Sequence, residues 1–178
     1  MGERHDGKEP AEILVEYRDR LPKGKALDVA MGSGRHALYL AAAGWEVEGI
    51  ERDPEAIAAC REEGGRRGLS IRIQQADLET VRLPIATYDL VTCFYYLDRA
   101  LIPQLRATLK PGGVIVCETF TIENQRRFGT PRRTEFCLQP NELSALFAEF
   151  SVIDAREGLV RGQYVAGLVA RKPDDDRG

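Results

Sequence analysis

Residues 28–34, Asp-Val-Ala-Met-Gly-Ser-Gly, are the stretch whose residue types and spacing most clearly suit chemistry. They follow a short apolar run, residues 26–30, that is long enough for a buried strand and is interrupted only by Asp28. Gly32 and Gly34 lack a Cβ, so the chain can turn tightly there and its backbone can approach a ligand closely. From about Arg35 the alanines and leucines suit a helix, with Gly44 as its stop. A strand, a glycine turn and a helix in that order point to a nucleotide-type cofactor at the carboxyl end of a parallel strand.

The type of cofactor is not decided by this segment alone. A nicotinamide fingerprint needs G-x-G-x-x-G, and here Ala37 stands in the third glycine's place. A phosphate loop needs Gly-Lys-Ser/Thr after the turn, and none follows. Cys60, Cys93, Cys117 and Cys137 are widely spaced, with no C-x-x-C pair, and the two histidines are His5 and His36. A metal centre therefore lacks plausible ligands, and none is expected.

These residues need elements to position them, and the rest of the chain supplies a strand–helix alternation. A helix is expected over residues 10–21, from the spacing of Ile13, Leu14 and Tyr17, as a cap on the core or a lid. A strand over 45–50 meets Glu51, and Asp53-Pro54-Glu55 then opens a helix that Gly64-Gly65 should end. Residues 69–75 form a third strand followed by Asp77, and residues 88–94 form a fourth. Leu101, Leu105 and Leu109 recur at helical spacing over 100–109. Lys110-Pro111-Gly112-Gly113 then turns into a β-branched strand at 114–118. Residues 119–139 read as an irregular loop carrying Arg126, Arg127, Arg132 and Arg133, and residues 140–150 as a helix. Residues 151–156 and 163–170 close the sheet as a hairpin, making the last strand antiparallel. The expectation is an α/β, Rossmann-like three-layer sandwich with a mostly parallel sheet of about seven strands. A loose leader at 1–9, a single domain at 10–171 and a charged tail at 172–178 complete the organisation.

The 178 residues are 43% hydrophobic and 30% charged, which describes a globular chain and not a disordered one. A net charge of −3 gives no overall attraction to nucleic acid or an anionic membrane. No apolar run approaches the roughly 18 residues of a membrane-spanning helix, and the polar start has no signal-peptide core. A cytoplasmic protein, monomeric or weakly dimeric, is the corresponding expectation.

Taken together the motifs resemble a class I S-adenosylmethionine-dependent methyltransferase, most in the manner of the small tellurite-resistance or thiopurine-like enzymes. The resemblance rests on Asp28-Val29-Ala30-Met31-Gly32-Ser33-Gly34, on Glu51 and Asp77-Leu78 after the second and third strands, on Tyr88-Asp89-Leu90-Val91, and on Leu109-Lys110-Pro111-Gly112-Gly113. It covers residues 10–171 and implies S-adenosylmethionine as cofactor. It implies that Asp28, Ala30, Gly32 and Gly34 belong to the cofactor-binding loop, with Asp28, Gly32 and Gly34 serving the methionine part, that Glu51 takes the ribose hydroxyls, and that Asp77 and Leu78 hold the adenine. Arg52 and Cys93 would line its neighbourhood. Ala30 departs from the family's usual glycine and is expected in an ordinary backbone region, with the loop slightly shifted, because a positive φ would strain it by about 1 kcal/mol.

The implied reaction is in-line transfer of the methyl group to a small-molecule acceptor, with the protein aligning the two and excluding water. Tyr95 and Tyr96 after the fourth strand, with Arg99 and His36, are the candidates for positioning the acceptor, and Arg127 and Phe128 for the pocket rim. No N/D-P-P-Y amino-methylation signature stands at 93–96, which argues against a nucleic-acid base as acceptor. The competing readings are a noncatalytic S-adenosylmethionine-binding protein and, more distantly, an NAD-dependent oxidoreductase.

Overall fold

A computed structural model describes residues 9–175; most of the leader and residues 176–178 lie outside the described residues. Seven strands form one sheet: β1 Lys25–Val29, β2 Glu46–Glu51, β3 Arg72–Gln75, β4 Tyr88–Phe94, β5 Leu109–Phe120, β6 Ser151–Val160 and β7 Gln163–Arg171. Their spatial order is β3-β2-β1-β4-β5-β7-β6. β1 to β5 are mutually parallel, and β7 runs antiparallel to both β5 and β6. This is the expected Rossmann-like sandwich with an antiparallel last strand. The order reverses between β1 and β4, so the crevice at their carboxyl ends is the topological switch point where ligands bind in open α/β sheets.

Alternation along the central strands explains the layers. Leu27, Val29, Val91 and Ile115 share one buried cluster with Leu101, Leu105 and Phe147. Ala26, Leu90, Val114 and Val116 share another with Ile13, Leu14, Leu40 and Trp45. A sheet buried on both faces needs apolar residues at consecutive positions, which is why β4 and β5 read as near-continuous apolar runs. The helices on these faces are α1 Glu12–Tyr17, α2 Arg35–Ala42, α3 Pro54–Arg67, α4 Ile102–Thr108, α5 Ile122–Phe128 and α6 Glu142–Leu146. Ile13 and Leu14 of α1 are fully buried, so the first helix is a layer of the core.

Several boundaries differ from expectation for identifiable reasons. α3 runs through Gly64-Gly65 and ends at Gly68, whose φ of 64° supplies the left-handed cap. Gly64 instead serves packing, since a Cβ there would crowd the Leu69 carbonyl and Leu38. Lys110–Gly113 do not separate α4 from the next strand as a free turn. β5 already pairs with β4 at Tyr88↔Leu109, and the register then shifts to Leu90↔Val114. The segment read as a loop at 119–139 contains α5, and the helix read at 140–150 shortens to α6, though Phe147 and Phe150 still reach the core. The β6–β7 hairpin is longer than read because its turn needs only Arg161 and Gly162, at φ 46° and 77°.

Candidate cofactor and acceptor site

Beyond β1 the chain reverses within five residues. Ala30 takes φ 53°, Gly32 56° and Gly34 83°. The expectation of an ordinary backbone region for Ala30 is therefore corrected. Its left-handed turn lets the Met31 N–H donate to the Ile50 carbonyl at 3.0 Å, continuing the β1–β2 ladder, and the Gly34 N–H then donates to the Met31 carbonyl at 3.0 Å. The two glycines serve different ends. A Cβ at Gly32 would meet only open space, so its need is conformational; at Gly34 a Cβ would overlap the Cys60 sulfur of α3.

Asp28 lies beneath this turn, 1% exposed. One carboxyl oxygen accepts the Thr92 hydroxyl at 2.8 Å, and the other, Oδ2, has no partner. Burial pushes its pKa up to about 7, against the opposing pull of Thr92 and Arg35.

Glu51, Arg52, Asp77, Leu78 and Ala30 open onto a single cleft of about 960 Å³ at the carboxyl ends of β1, β2 and β3. Glu51 Oε2 accepts the Gly32 N–H at 2.9 Å, while Oε1 accepts those of Arg52 and Asp53 at 2.9 and 3.0 Å. Asp77 accepts the Glu79 N–H at 3.0 Å and stands 4.0 Å from the Arg52 guanidinium. Tyr95, Tyr96 and Arg99 line the same cleft from beyond β4, facing contributions from Thr119, Phe120, Pro131, Arg133 and Phe136.

Other candidates lie elsewhere or are already committed. Cys93 is buried in the core, its thiol donating to the Tyr96 carbonyl at 3.6 Å and pushed up to about 12 by burial. His36 is 4% exposed, accepts the Ala11 N–H at 3.1 Å and stacks on Phe94 at 4.0 Å, so it docks the α1 segment and does not face an acceptor. Arg99 spends its donors on Glu142, at 2.5 and 3.0 Å, and on the Glu135 and Cys137 carbonyls. It fastens the 135–142 loop and is not free to receive an anion. Arg127 pairs with Glu123 at 2.6 Å and Phe128 stacks on Tyr164, so the rim is made instead by Arg133 and Phe136 of the same basic stretch. Phe120 ends β5 and Tyr95 directly follows β4, a positional signal present in the sequence. Phe136 reaches the cleft only because residues 119–139 fold back over it.

Residues 26–113 match the family described as Methyltransferase domain. The demethylmenaquinone methyltransferase of Thermus thermophilus is 33% identical over 126 residues, 66% of this chain and 56% of that protein. The ubiquinone biosynthesis O-methyltransferase of Haemophilus ducreyi is 32% identical over 105 residues, 53% of this chain and 44% of that protein. The chain thus spans about half the length of the curated relatives it matches. Among solved structures, TehB from Haemophilus influenzae superimposes with a TM-score of 0.78 at 19% identity, over 92% of this chain and 62% of that one. Strand order, switch-point turn and family match converge: the chain has the class I S-adenosylmethionine-dependent methyltransferase fold.

Proposed function

We propose that the chain transfers the methyl group of S-adenosylmethionine to a small-molecule acceptor. One observation carries the reading: Glu51 and Asp77, from the ends of adjacent strands, share one cleft with the aromatic residues at the carboxyl ends of β4 and β5. The residues suit this cofactor. The unpartnered Oδ2 of Asp28 beneath the turn is an acceptor for a positively charged amino group, and the space beside Gly32 leaves the backbone approachable. Glu51 takes the paired ribose hydroxyls, Asp77 the adenine amine, and Leu78 the apolar face of the base.

When bound, the cofactor supplies a methyl group already activated on sulfur. The protein's task is then to align an acceptor and exclude water, and no covalent enzyme intermediate is needed. The walls from Tyr95, Tyr96 and Phe120 serve that alignment. The two relatives, named a demethylmenaquinone methyltransferase and a ubiquinone biosynthesis O-methyltransferase, support a small molecule as acceptor. In this reading the protein works in the cytoplasm, as a monomer or weak homodimer.

Titration calorimetry with S-adenosylmethionine and S-adenosylhomocysteine, followed by a labelled-methyl assay across thiols, chalcogen oxyanions, amines and phenols, tests the reading. Binding of both ligands with label passing to a small molecule is expected. Failure of either ligand to bind would refute it, and binding without transfer to any acceptor would leave a noncatalytic S-adenosylmethionine-binding protein.

A further inference from the structure

Five carboxylates line the cleft, those of Glu51, Asp77, Glu79, Asp98 and Glu135, against three guanidinium groups. Two of the three are engaged: Arg99 with Glu142 and Arg133 with Glu135 at 2.6 Å. The third, Arg52, stands beside Asp77 at the cofactor end. An anionic acceptor entering this cleft meets an excess of negative charge, and a cation at the aromatic wall, Arg35, lies over the Tyr95 ring at 5.4 Å with a donor on the Glu9 carbonyl at 3.3 Å. What it does meet is aromatic. Tyr95 and Phe120 pack at 5.0 Å between centroids, and Tyr95 and Phe136, which both line the cleft, are 37% and 43% exposed. Such rings present flat apolar faces to a partner of the same kind.

Behind this wall stands Glu118, 2% exposed, which clamps Tyr95 at both ends of the residue. The Tyr95 N–H donates to the Glu118 carbonyl at 2.8 Å, and the Tyr95 hydroxyl donates to Glu118 Oε1 at 2.9 Å. The clamp holds Tyr95 at φ 55°, a left-handed conformation that is costly for an aromatic residue and that tends to mark functional sites. The neighbouring cations are turned to other acids, Arg156 to Glu16 and Asp154, and Arg161 to Glu12. Among the described residues Glu118 is thus a buried carboxylate with no ion pair, and burial holds its pKa above the usual carboxylate range.

Resting on the methyltransferase reading, we propose that the acceptor is an uncharged planar aromatic molecule whose nucleophile is a hydroxyl group, and that Tyr95 passes the hydroxyl proton to Glu118. The acceptor's O–H donates to the Tyr95 oxygen as the Tyr95 O–H moves to Glu118 Oε1. The freed electron pair on the acceptor oxygen forms the bond to the methyl carbon, and the pair of the broken carbon–sulfur bond stays on sulfur. The products are an aryl methyl ether, S-adenosylhomocysteine and a neutral Glu118 carboxylic acid. Tyr95 is the catalytic residue of this step, and Glu118 positions it and receives the proton.

The test uses the full chain with 2-naphthol, catechol, sodium tellurite, sodium selenite and thiophenol as probes. Calorimetry on protein saturated with S-adenosylhomocysteine is expected to show 2-naphthol binding and no tellurite binding. Labelled methyl from S-adenosylmethionine is expected in the phenols and not in the oxyanions. Glu118→Gln keeps an oxygen to accept the Tyr95 hydroxyl but cannot take a proton. It should lower the rate with catechol relative to thiophenol, which ionises by itself at mildly alkaline pH, by about 100-fold. Tyr95→Phe keeps the ring and should give the same change in the ratio. Label in the oxyanions alone, absence of 2-naphthol binding, or an unchanged ratio in both variants would overturn the proposal while leaving the methyltransferase reading standing. Failure to bind S-adenosylmethionine at all would remove both.

Discussion

The Glu51 carboxylate accepts the Gly32 N–H at 2.9 Å, so the acid that ends β2 holds down the turn that follows β1. With Arg52 and Asp53 also donating to it, three of its roughly four lone-pair sites are in use. In the proposed reading two ribose hydroxyls would need two sites, so a cofactor held there would exchange at least one backbone donor for a sugar hydroxyl. Glu51→Ala removes the latch and, in that reading, the sugar acceptor as well. Calorimetry should show S-adenosylmethionine binding weakened by about 2 kcal/mol or more. An unchanged affinity would exclude this role for Glu51.

Ala30 offers a stabilising substitution. Its φ of 53° costs roughly 1–2 kcal/mol for a residue with a Cβ, while glycine gives back about 0.4–1 kcal/mol through the freer unfolded chain. Ala30→Gly should therefore leave stability in urea unchanged at worst and raise it by up to about 1.6 kcal/mol. A loss would show that the packing of the Ala30 methyl against the neighbouring core outweighs the strain.

Gly34 behaves in the opposite way. A methyl there overlaps the Cys60 sulfur and must also adopt φ 83°. Overpacking and left-handed strain together put Gly34→Ala at about 3 kcal/mol destabilising. Pairing it with Cys60→Ala should recover the overpacking share and leave the backbone share, a coupling that a double-mutant cycle in urea measures. Strict additivity would contradict the contact.

Two buried groups pull the pH dependence of stability in opposite directions. The Asp28 pKa is raised in the fold to about 7, so the folded protein binds more protons than the unfolded chain between about pH 4 and 7, and this group's contribution falls as pH rises. The His36 pKa is lowered to about 3 by burial and, less strongly, by Arg35. Between about pH 3 and 6.5 the unfolded chain binds more protons at His36, so its contribution rises with pH. The two slopes oppose each other across about pH 4 to 6.5. His36→Gln should unmask the Asp28 slope, with stability declining from pH 4 to 7 more steeply than in the wild type. Urea midpoints at several pH values check this, and a slope of the opposite sign would refute it.

Asp28 also predicts a pH dependence of binding. A cationic amino group on the cofactor favours the charged carboxylate, so affinity for S-adenosylmethionine should tighten from pH 6 to 8 as Asp28 ionises. Asp28→Asn should flatten that dependence in calorimetric titrations.

What the chain of residues determined alone is short-range and positional. The alternation of apolar runs, the glycines of 32 and 34, and acids set just past strand ends are all local signals, and they sufficed for the sheet, its antiparallel last strand and the cleft residues Glu51, Arg52, Asp77 and Tyr95. What only the tertiary structure decided depends on partners far along the chain. Arg99 is committed to an acid 43 residues away, and His36 to a backbone N–H 25 residues away. Ala30 is turned left-handed by a ladder bond to the next strand, and the basic 119–139 stretch lends Arg133 and Phe136, not Arg127 and Phe128, to the cleft. The pairing of Glu118 with Tyr95 belongs to the same class. A charge or a ring declares its type in sequence, but whether it is neutralised, buried or free for a ligand is set by what packs against it, and that is a property of the fold.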